Sequence, residues 1–360
     1  MKLLGKYSET RSHYDAWWNK KGSVLNISII DENKKGVEYD NANWKADVTC
    51  ADYYLKYHTD KAFNIEENLK RVRKSVLMGD TLPLAMPDYG AIALAAYLGA
   101  KIGFGEDTVW YSPCMNETNK NLPLWFDSDN IWWKTNMEIM EGLKAYGDEI
   151  FIGAPCLSPG LDTLYQLRGA ESMMIDLISD PKWVHEKLQE IQSAFFQAYD
   201  RIYDIIKLND GSMVFGYFSL WGNGKTSQMQ CDVSALISPK MFNEFELPYL
   251  IERCEKIHHT LYHLDGVQAI MHLDSLLGIH SLDAIEWSPQ AGQETGGNKR
   301  WYPLYEKILK AGKGLQIVEA LPDEIIDIFH HFGTDGINVM TAPMTKREAE
   351  DLLERVAVYR

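Results

Sequence analysis

Two neighbouring strand-like runs in the last third of the chain carry the residues best suited to chemistry. His263 and Asp265 stand two residues apart where a run from Thr260 to Leu264 stops at Asp265-Gly266. Residues two apart in an extended strand point to the same face, so these two side chains are predicted to share one environment. Glu286 holds the equivalent place in the next run, Asp283 to Trp287. Imidazole and carboxylate groups in this arrangement could bind a metal ion or exchange protons with a substrate.

The elements that must position these residues alternate regularly between strand and helix. Strand-like runs cover residues 23–30, 81–88, 149–156, 213–222, 260–264, 283–287, 314–322 and 336–343, and amphipathic helical patterns follow most of them. This order predicts an α/β protein with a (β/α)₈ barrel, also called a TIM barrel, rather than a doubly wound sheet. In such barrels the catalytic side chains come from the C-terminal ends of the strands.

The chain is predicted to be one barrel domain over residues 1–360, because no internal repeat or long linker marks a second domain. Residues 1–60 form an N-terminal extension, in which residues 31–60 have the character of an insertion without regular elements. A second insertion, at about residues 99–127, follows the second strand and contains Trp110, Trp125 and an asparagine-rich tip. Its place in the order predicts that it covers the mouth of the barrel.

Composition and charge narrow the classes of partner. The net charge is −15, with 46% apolar and 24% charged residues, which is typical of a globular protein and argues against nucleic acid or an anionic membrane as partner. The N-terminus lacks the apolar core of a signal peptide, and no run approaches 18 apolar residues, so a cytoplasmic location is expected. The 5 cysteines form no C-x-x-C pair, which fits a reducing compartment.

Applying the strand-end rule to every predicted strand gives a list of candidate site residues. The predicted catalytic residues are Asp88, Asp232, His263 and Asp265, and the predicted substrate-binding residues are Trp221, Glu286, Trp287, Arg300 and Glu319. His263 and Asp265, with Glu319 or Glu286 as third ligand, could bind a divalent metal such as zinc or the polar head of a substrate. Several carboxylates at one mouth would repel one another unless they are protonated, paired with a cation or bound to a metal.

Three of these residues also have ordinary structural interpretations. Asp265 before Gly266 could be a helix N-cap, and Asp88 before Tyr-Gly could act in a turn. Glu319 could form an ion pair with Lys313 or Arg300. The sequence alone leaves these alternatives open.

The same stretch resembles a known superfamily. HLDG, then a helix ending near SLLGI, then LDAIEWSPQAG is similar to the fifth and sixth β/α units of the uroporphyrinogen decarboxylase superfamily, which also contains cobalamin-dependent methyltransferases. The continuation NKRWYPLYEKILKAGKGL is most similar to a subgroup without characterised members. The resemblance covers roughly residues 60–358 and implies a TIM barrel.

The resemblance also suggests what the site could and could not bind. In the zinc-containing methyltransferases of the superfamily, the strand-five motif is His-x-Cys, and a second cysteine ends strand eight. Here His263 matches the histidine, but Asp265 takes the place of the cysteine and VMTAPM offers no thiolate. The sequence therefore excludes a thiolate zinc site and leaves a His/Asp/Glu site for zinc or a harder divalent metal.

Two departures argue against true uroporphyrinogen decarboxylase. The arginine-rich substrate loop of that enzyme, RQAGRY, has no counterpart, although the position of Asp88 matches the region of its essential aspartate. A chain with a net charge of −15 also offers few cations for a substrate with many carboxylates.

Three functions are compatible with these residues. The first is methyl transfer between a small methylated compound and a corrinoid carried by a separate partner protein, because no Asp-x-His-x-x-Gly cobalamin signature is present. The second is a decarboxylase or other lyase that uses Asp88, Asp232 and His263 as acid and base. The third is binding of a corrinoid or another small molecule without catalysis.

Overall fold

The computed structural model describes residues 2–30, 51–105 and 109–360. The strands are β1 (Ser23–Ile27), β2 (Met78–Gly79), β3 (Leu84–Ala85), β4 (Lys101–Phe104), β5 (Val109–Ser112), β6 (Phe151–Ala154), β7 (Met213–Phe215), β8 (Leu220–Gly222), β9 (Thr226–Met229), β10 (His259–Asp265), β11 (Ala284–Ser288), β12 (Gly314–Ala320) and β13 (Ile337–Thr341). The helices are α1 (Lys2–Lys6), α2 (Ser8–Trp18), α3 (Ala51–Thr59), α4 (Lys61–Lys74), α5 (Ala93–Tyr97), α6 (Ile131–Leu143), α7 (Leu161–Arg168), α8 (Ala170–Ser179), α9 (Pro181–Ile206), α10 (Pro239–Phe245), α11 (Leu247–Lys256), α12 (Leu273–Leu277), α13 (Tyr302–Lys310), α14 (Pro322–Phe332) and α15 (Lys346–Val356).

Parallel pairing dominates the two larger sheets. One sheet has the order β2-β1-β13-β12-β11-β10-β9, and the other has the order β3-β6-β7-β8. Antiparallel pairing occurs only where the short strands β2 and β8 lie against β1 and β7, and within the β4–β5 hairpin, among the described residues. The structure therefore confirms an α/β fold with parallel sheets.

The first and last long strands are neighbours, as they are in a closed barrel. The first long strand, β1, pairs in parallel with the last, β13, with Ser23 opposite Ile337. Backbone pairing between the described strands does not join the two sheets, although the Thr226 amide of β9 donates a hydrogen bond to the Met213 sulfur of β7 at 3.4 Å.

Several helices begin where local sequence signals predict them. The side chain of Asp180 accepts a hydrogen bond from the Trp183 amide at 3.3 Å, and Pro181 occupies the first turn of α9. Thr345 and Glu348 form a reciprocal capping box at the start of α15. Such caps satisfy amide groups that the helix leaves without partners. No helix in the described residues combines the length and the apolar character needed to cross a membrane.

The N-terminal extension contains elements that the sequence did not predict. Helix α2 carries the buried residues Tyr14, Trp17 and Trp18, and the indole of Trp17 donates a hydrogen bond to the Gly336 carbonyl at 3.0 Å. Because Gly336 directly precedes β13, α2 lies against the N-terminal ends of the strands. The expectation that residues 31–60 lack elements is wrong for α3, and residues 31–50 lie outside the described part of the chain.

One predicted helix is shorter than expected. The helical spacing of Ile65, Leu69, Val72, Val76 and Leu77 predicts a helix from Asn64 to Met78, whereas α4 ends at Lys74. Met78 pairs instead with Ile27 of β1, and Gly79 adopts a φ of +60°. A Cβ atom at Gly79 would lie 2.4 Å from the Leu25 carbonyl oxygen, so the close approach of these two strands requires glycine.

Candidate metal centre

Three predicted site residues converge at the C-terminal ends of two neighbouring strands. One ligand atom from each of Asp232, His263 and Asp265 lies within 4.8 Å of the others. His263 and Asp265 share one face of β10, as their spacing predicted. Asp232 begins a short 3₁₀ helix after β9, which pairs in parallel with β10. Parallel neighbours end at the same edge, so the pairing of these strands brings the three side chains together.

Glu286 stands behind the histidine of this cluster. Strand register places Glu286 opposite His263, and its Oε2 is hydrogen-bonded to His263 Nδ1. Glu286 is fully buried, and its other oxygen accepts a hydrogen bond from the Ser288 hydroxyl at 2.7 Å. Holding Nδ1 leaves Nε2 for a metal ion, the arrangement in which proteins usually present a histidine ligand.

The donor set fits a divalent metal ion with nitrogen and oxygen preferences. One imidazole and two carboxylates suit zinc or a harder divalent cation. The third member of the cluster is Asp232, and neither of the expected third ligands, Glu319 and Glu286, belongs to it. Glu286 is engaged by His263 and Ser288, and Glu319 is not part of any such group in the described residues.

The electrostatics of the cluster favour a cation. Burial alone would lower the pKa of His263, but Glu286, Asp232 and Asp265 outweigh burial and raise it to about 9. Partial loss of solvent around its carboxylate, together with Asp265, raises the pKa of Asp232, although His263 opposes this shift. Asp232 and Asp265 form no ion pair with lysine or arginine among the described residues, so a bound cation would relieve their repulsion.

A buried carboxylate and two glutamines adjoin the cluster, and none of the three is among the residues predicted from the sequence. Asp162, in the first turn of α7, accepts hydrogen bonds from the backbone amides of Asp232 and Val233, each at 3.0 Å. Burial and the nearby Asp232 raise the pKa of Asp162 to about 7. Gln228 and Gln230 are buried and hydrogen-bonded to each other. The alternation Gln228-x-Gln230-x-Asp232, with a polar residue at every second position from β9 into the following loop, is the signal that could have revealed the glutamines.

Asp88 lies at a separate part of the same edge and is hydrogen-bonded to a tyrosine. The hydroxyl of Tyr217 donates a hydrogen bond to Asp88 Oδ1, which also accepts from the Gly90 amide at 2.8 Å. The hydrogen bond from the Gly90 amide is the turn interaction that the sequence predicted for Asp88. It uses Oδ1 and does not involve the other carboxylate oxygen, Oδ2. Burial, followed by the charge of Asp88, raises the pKa of Tyr217 well above its ordinary range.

The insertion after the second strand reaches this part of the edge. Burial, then the charges of neighbours that include Tyr97, Asp88 and Cys156, raises the pKa of Tyr111 on β5 well above its ordinary range. Its hydroxyl donates a hydrogen bond to the Tyr89 carbonyl. Further along, the Leu122 carbonyl accepts a hydrogen bond from the Lys187 ammonium of α9 at 2.8 Å. The insertion therefore runs from the Asp88 region to the outer helices.

Two predicted substrate-binding tryptophans lie elsewhere. Trp287 follows the inward-facing Glu286, so strand alternation turns it outward, where it is fully buried against Trp301 with ring centroids 4.9 Å apart. Trp221 sits on the returning strand β8 opposite Val214 and packs on Phe151, the first residue of β6. The hairpin from β7 to β8 carries Trp221 back from the C-terminal edge, so both tryptophans belong to the core.

Arg300 and Glu319 are exposed and lie apart from the cluster. The guanidinium of Arg300 donates a hydrogen bond to Gln293 Oε1 at 3.1 Å. Lys313 donates to the carbonyls of Ile279 and Leu282 at 2.6 and 2.7 Å, so the predicted ion pair between Lys313 and Glu319 is not formed. Glu319 has a φ of +56° beside a register shift in β12.

The N-cap alternative for Asp265 gains no support from the structure. Its side chain accepts no hydrogen bond from the described residues, and the next helical turn starts only at Ala269. The carboxylate of Asp265 is exposed and turned toward His263 and Asp232.

Comparisons with known proteins give a relationship in fold. No family model matches the sequence, and a search of curated proteins finds no match. Among solved structures, a methyltransferase from Methanosarcina mazei is similar with a TM-score of 0.62 over 98% of this chain and 99% of that chain, at 13% sequence identity. Similarity at this level of identity establishes a shared fold and leaves the chemistry to the site.

Proposed function

We propose that this chain is a methyltransferase with a complete (β/α)₈ barrel and a divalent metal ion held by Asp232, His263 and Asp265. It would transfer a methyl group between a small methylated compound and a corrinoid carried by a separate protein. The convergence of one imidazole and two carboxylates at the C-terminal edge of the sheet carries this proposal. The fold that the chain shares with a methyltransferase along nearly its whole length supports the choice of reaction.

Each residue around the proposed metal site has a separate task. Glu286 holds the Nδ1 side of His263 and fixes the orientation of the ring. Asp265 at the end of β10 and Asp232 just after β9 supply negative charge. When bound, the metal ion would act as a Lewis acid on a heteroatom of the substrate, which keeps the electron pair when its bond to the methyl group breaks.

The charge around the site restricts the class of substrate. Asp88, Asp232 and Asp265 form no ion pair with lysine or arginine in the described part of the chain. A substrate with many carboxylates would meet repulsion here, since its recognition requires clustered cations. Neutral or cationic methylated compounds fit the site better.

A metal-resolved methyl-transfer assay tests the proposal. The protein is purified without added metal, analysed for bound elements, and incubated with free methylcobalamin and candidate acceptors while the cobalamin absorption spectrum is recorded. We expect demethylation that chelator treatment abolishes and divalent metal restores, with Asp265→Asn as the inactive control. A protein that neither contains nor binds a divalent metal would refute the proposed site.

One observation favours a lyase as second candidate. In the absence of a metal, the raised pKa of His263, about 9, leaves an imidazolium between Asp232 and Asp265, and an imidazolium can protonate the carbanion that loss of carbon dioxide creates. The same chelator treatment separates the candidates. Lyase activity would survive metal removal and would fall above pH 9 as His263 loses its proton, whereas metal-dependent methyl transfer would stop.

A further inference from the structure

We infer that Asp162 is a positioning residue, a buried carboxylate on helix α7 that fixes the ligand Asp232 for the divalent cation. This inference rests on the proposed metal site and extends it from the ligands to the group that holds one of them. Asp162 does not belong to the cluster itself, and its side chain points at the backbone that carries Asp232.

The geometry of Asp162 is that of a clamp on the backbone. Oδ2 accepts the amide hydrogen of Asp232 and Oδ1 accepts that of Val233, both at 3.0 Å. These two amides begin the 3₁₀ helix Asp232–Leu236, where backbone donors have no partner within the helix. Because each carboxylate oxygen of Asp162 accepts one of these amide hydrogens, two hydrogen bonds restrain the start of the 3₁₀ helix relative to α7.

Gln230 restrains the side chain of the ligand Asp232, in addition to its backbone. The amide nitrogen of Gln230 lies 3.1 Å from Asp232 Oδ2 and 3.5 Å from Asp162 Oδ2. Gln230 is itself held, because its side-chain oxygen accepts a hydrogen bond from Gln228. One oxygen of Asp232 is therefore restrained by Gln230, which leaves the other free to bind a cation.

The charge of Asp162 indicates a role beyond capping. Asp162 is 1% exposed and has no lysine or arginine partner among the described residues. A neutral acceptor would hold a backbone amide at a lower cost in desolvation. A second carboxylate beside Asp232 is useful where a cation must be attracted, since it adds negative charge without occupying a coordination position.

Metal affinity of the Asp162→Asn variant tests the inference. Isothermal titration of metal-free protein with Zn²⁺, together with the visible absorption of the Co²⁺-loaded protein, reports the affinity and the ligand geometry. We expect the variant to bind Zn²⁺ about 10- to 100-fold more weakly and to show an altered Co²⁺ spectrum. Its free energy of unfolding without metal at pH 8 should change little, because the removal of a buried charge offsets the loss of one of the two amide acceptors.

Two further variants separate positioning from general structure. Gln230→Met keeps the length of the side chain but loses the amide, and should weaken Zn²⁺ binding about 3- to 10-fold. Asp80→Asn is the matched control, because Asp80 is also a buried aspartate that accepts a backbone amide hydrogen, at 2.8 Å from Leu25. It should lower stability and leave Zn²⁺ affinity unchanged.

The outcomes distinguish this inference from the proposed function. Wild-type affinity in both Asp162→Asn and Gln230→Met would overturn the inference and leave the metal site intact. Loss of metal-free stability in Asp162→Asn, with wild-type affinity in the folded fraction, would reduce Asp162 to a structural cap. A wild-type protein that binds neither Zn²⁺ nor Co²⁺ would overturn both.

Discussion

The two ends of the strands use aspartate in opposite ways. At the N-terminal end, Asp80 is almost inaccessible and fully paired: it binds Arg360 and His13, each at 2.6 Å, and the Leu25 amide. At the C-terminal end, Asp232 and Asp265 lie within one small cluster without a lysine or arginine partner among the described residues. The interactions of Asp80 stabilise the fold, whereas the repulsion between Asp232 and Asp265 would be relieved by a bound cation.

Aromatic packing follows the same division. At the N-terminal end, the indole groups of Trp17 and Trp18 donate to backbone carbonyls, and Trp18 stacks on His259 with ring centroids 4.7 Å apart. At the C-terminal end, the Tyr217 hydroxyl is directed at a carboxylate that stays partly accessible. Buried polar groups with complete sets of partners are typical of structure, and unbalanced charges in a cleft are typical of function.

The largest expected effect is at Asp265. Asp265→Asn should lower activity about 100-fold or more, since it removes a charge that the reaction uses, and leave the fold unchanged because the residue is exposed. Turnover and thermal melting of the same preparation check this. Full activity in the variant would show that the C-terminal cluster is not catalytic and would remove the contrast between the two ends.

The next effect concerns the residue behind the histidine. Glu286→Gln should weaken the affinity for Zn²⁺ about 10- to 100-fold. In the wild-type protein, the raised pKa of His263 means that metal binding must displace a proton below pH 9, so affinity rises with pH up to that point. In the variant, the pKa of His263 is lower, so less proton displacement is needed, and the imidazole ring also loses the hydrogen bond that orients it. The ratio of wild-type to variant affinity should therefore grow from pH 7 to pH 9 in calorimetric titrations.

The same pKa makes a prediction for the metal-free protein. A histidine whose pKa is raised by folding stabilises the fold below its unfolded pKa of about 6.5, and this contribution is lost as pH rises through about 9. The free energy of unfolding should fall across that interval in wild type and less in Glu286→Gln. Equal slopes in urea titrations at several pH values would show that Glu286 does not set the pKa of His263.

At the N-terminal end, Asp80→Asn should lower the free energy of unfolding by about 2 to 3 kcal/mol, because it leaves the Arg360 guanidinium without its buried partner. Metal affinity and turnover at 25 °C should stay at wild-type values. Chemical denaturation and activity assays measure the two quantities separately. A loss of metal affinity would mean that the two ends of the strands are coupled, contrary to the division drawn above.

The smallest expected effect is at Glu319, whose positive φ is unfavourable for a residue with a Cβ atom. Glu319→Gly should raise the free energy of unfolding by about 0.5 to 1 kcal/mol, whereas Glu319→Ala loses the same carboxylate and keeps the strain. Both variants should bind Zn²⁺ like wild type. Reduced affinity in both would show that Glu319 is a metal ligand after all.

The sequence by itself determined the alternation of strands and helices, the helix caps and one half of the site. Periodicity and capping act between residues close in the chain, so they located α9 and α15 and showed that His263 and Asp265 share a face. The same local rule, strand alternation, would have placed Trp287 on the outer face had it been applied to Glu286.

Only the tertiary structure decided which distant groups complete the site. The choice of Asp232 over Glu319 depends on the pairing of β9 with β10, and the place of Trp221 depends on a hairpin that returns against β7. Asp162 is 70 residues from Asp232 in sequence, and only the packing of α7 against the end of β9 brings its carboxylate to that backbone. Local patterns carry no information about such contacts, because the free energy that selects them comes from burial and pairing across the whole fold.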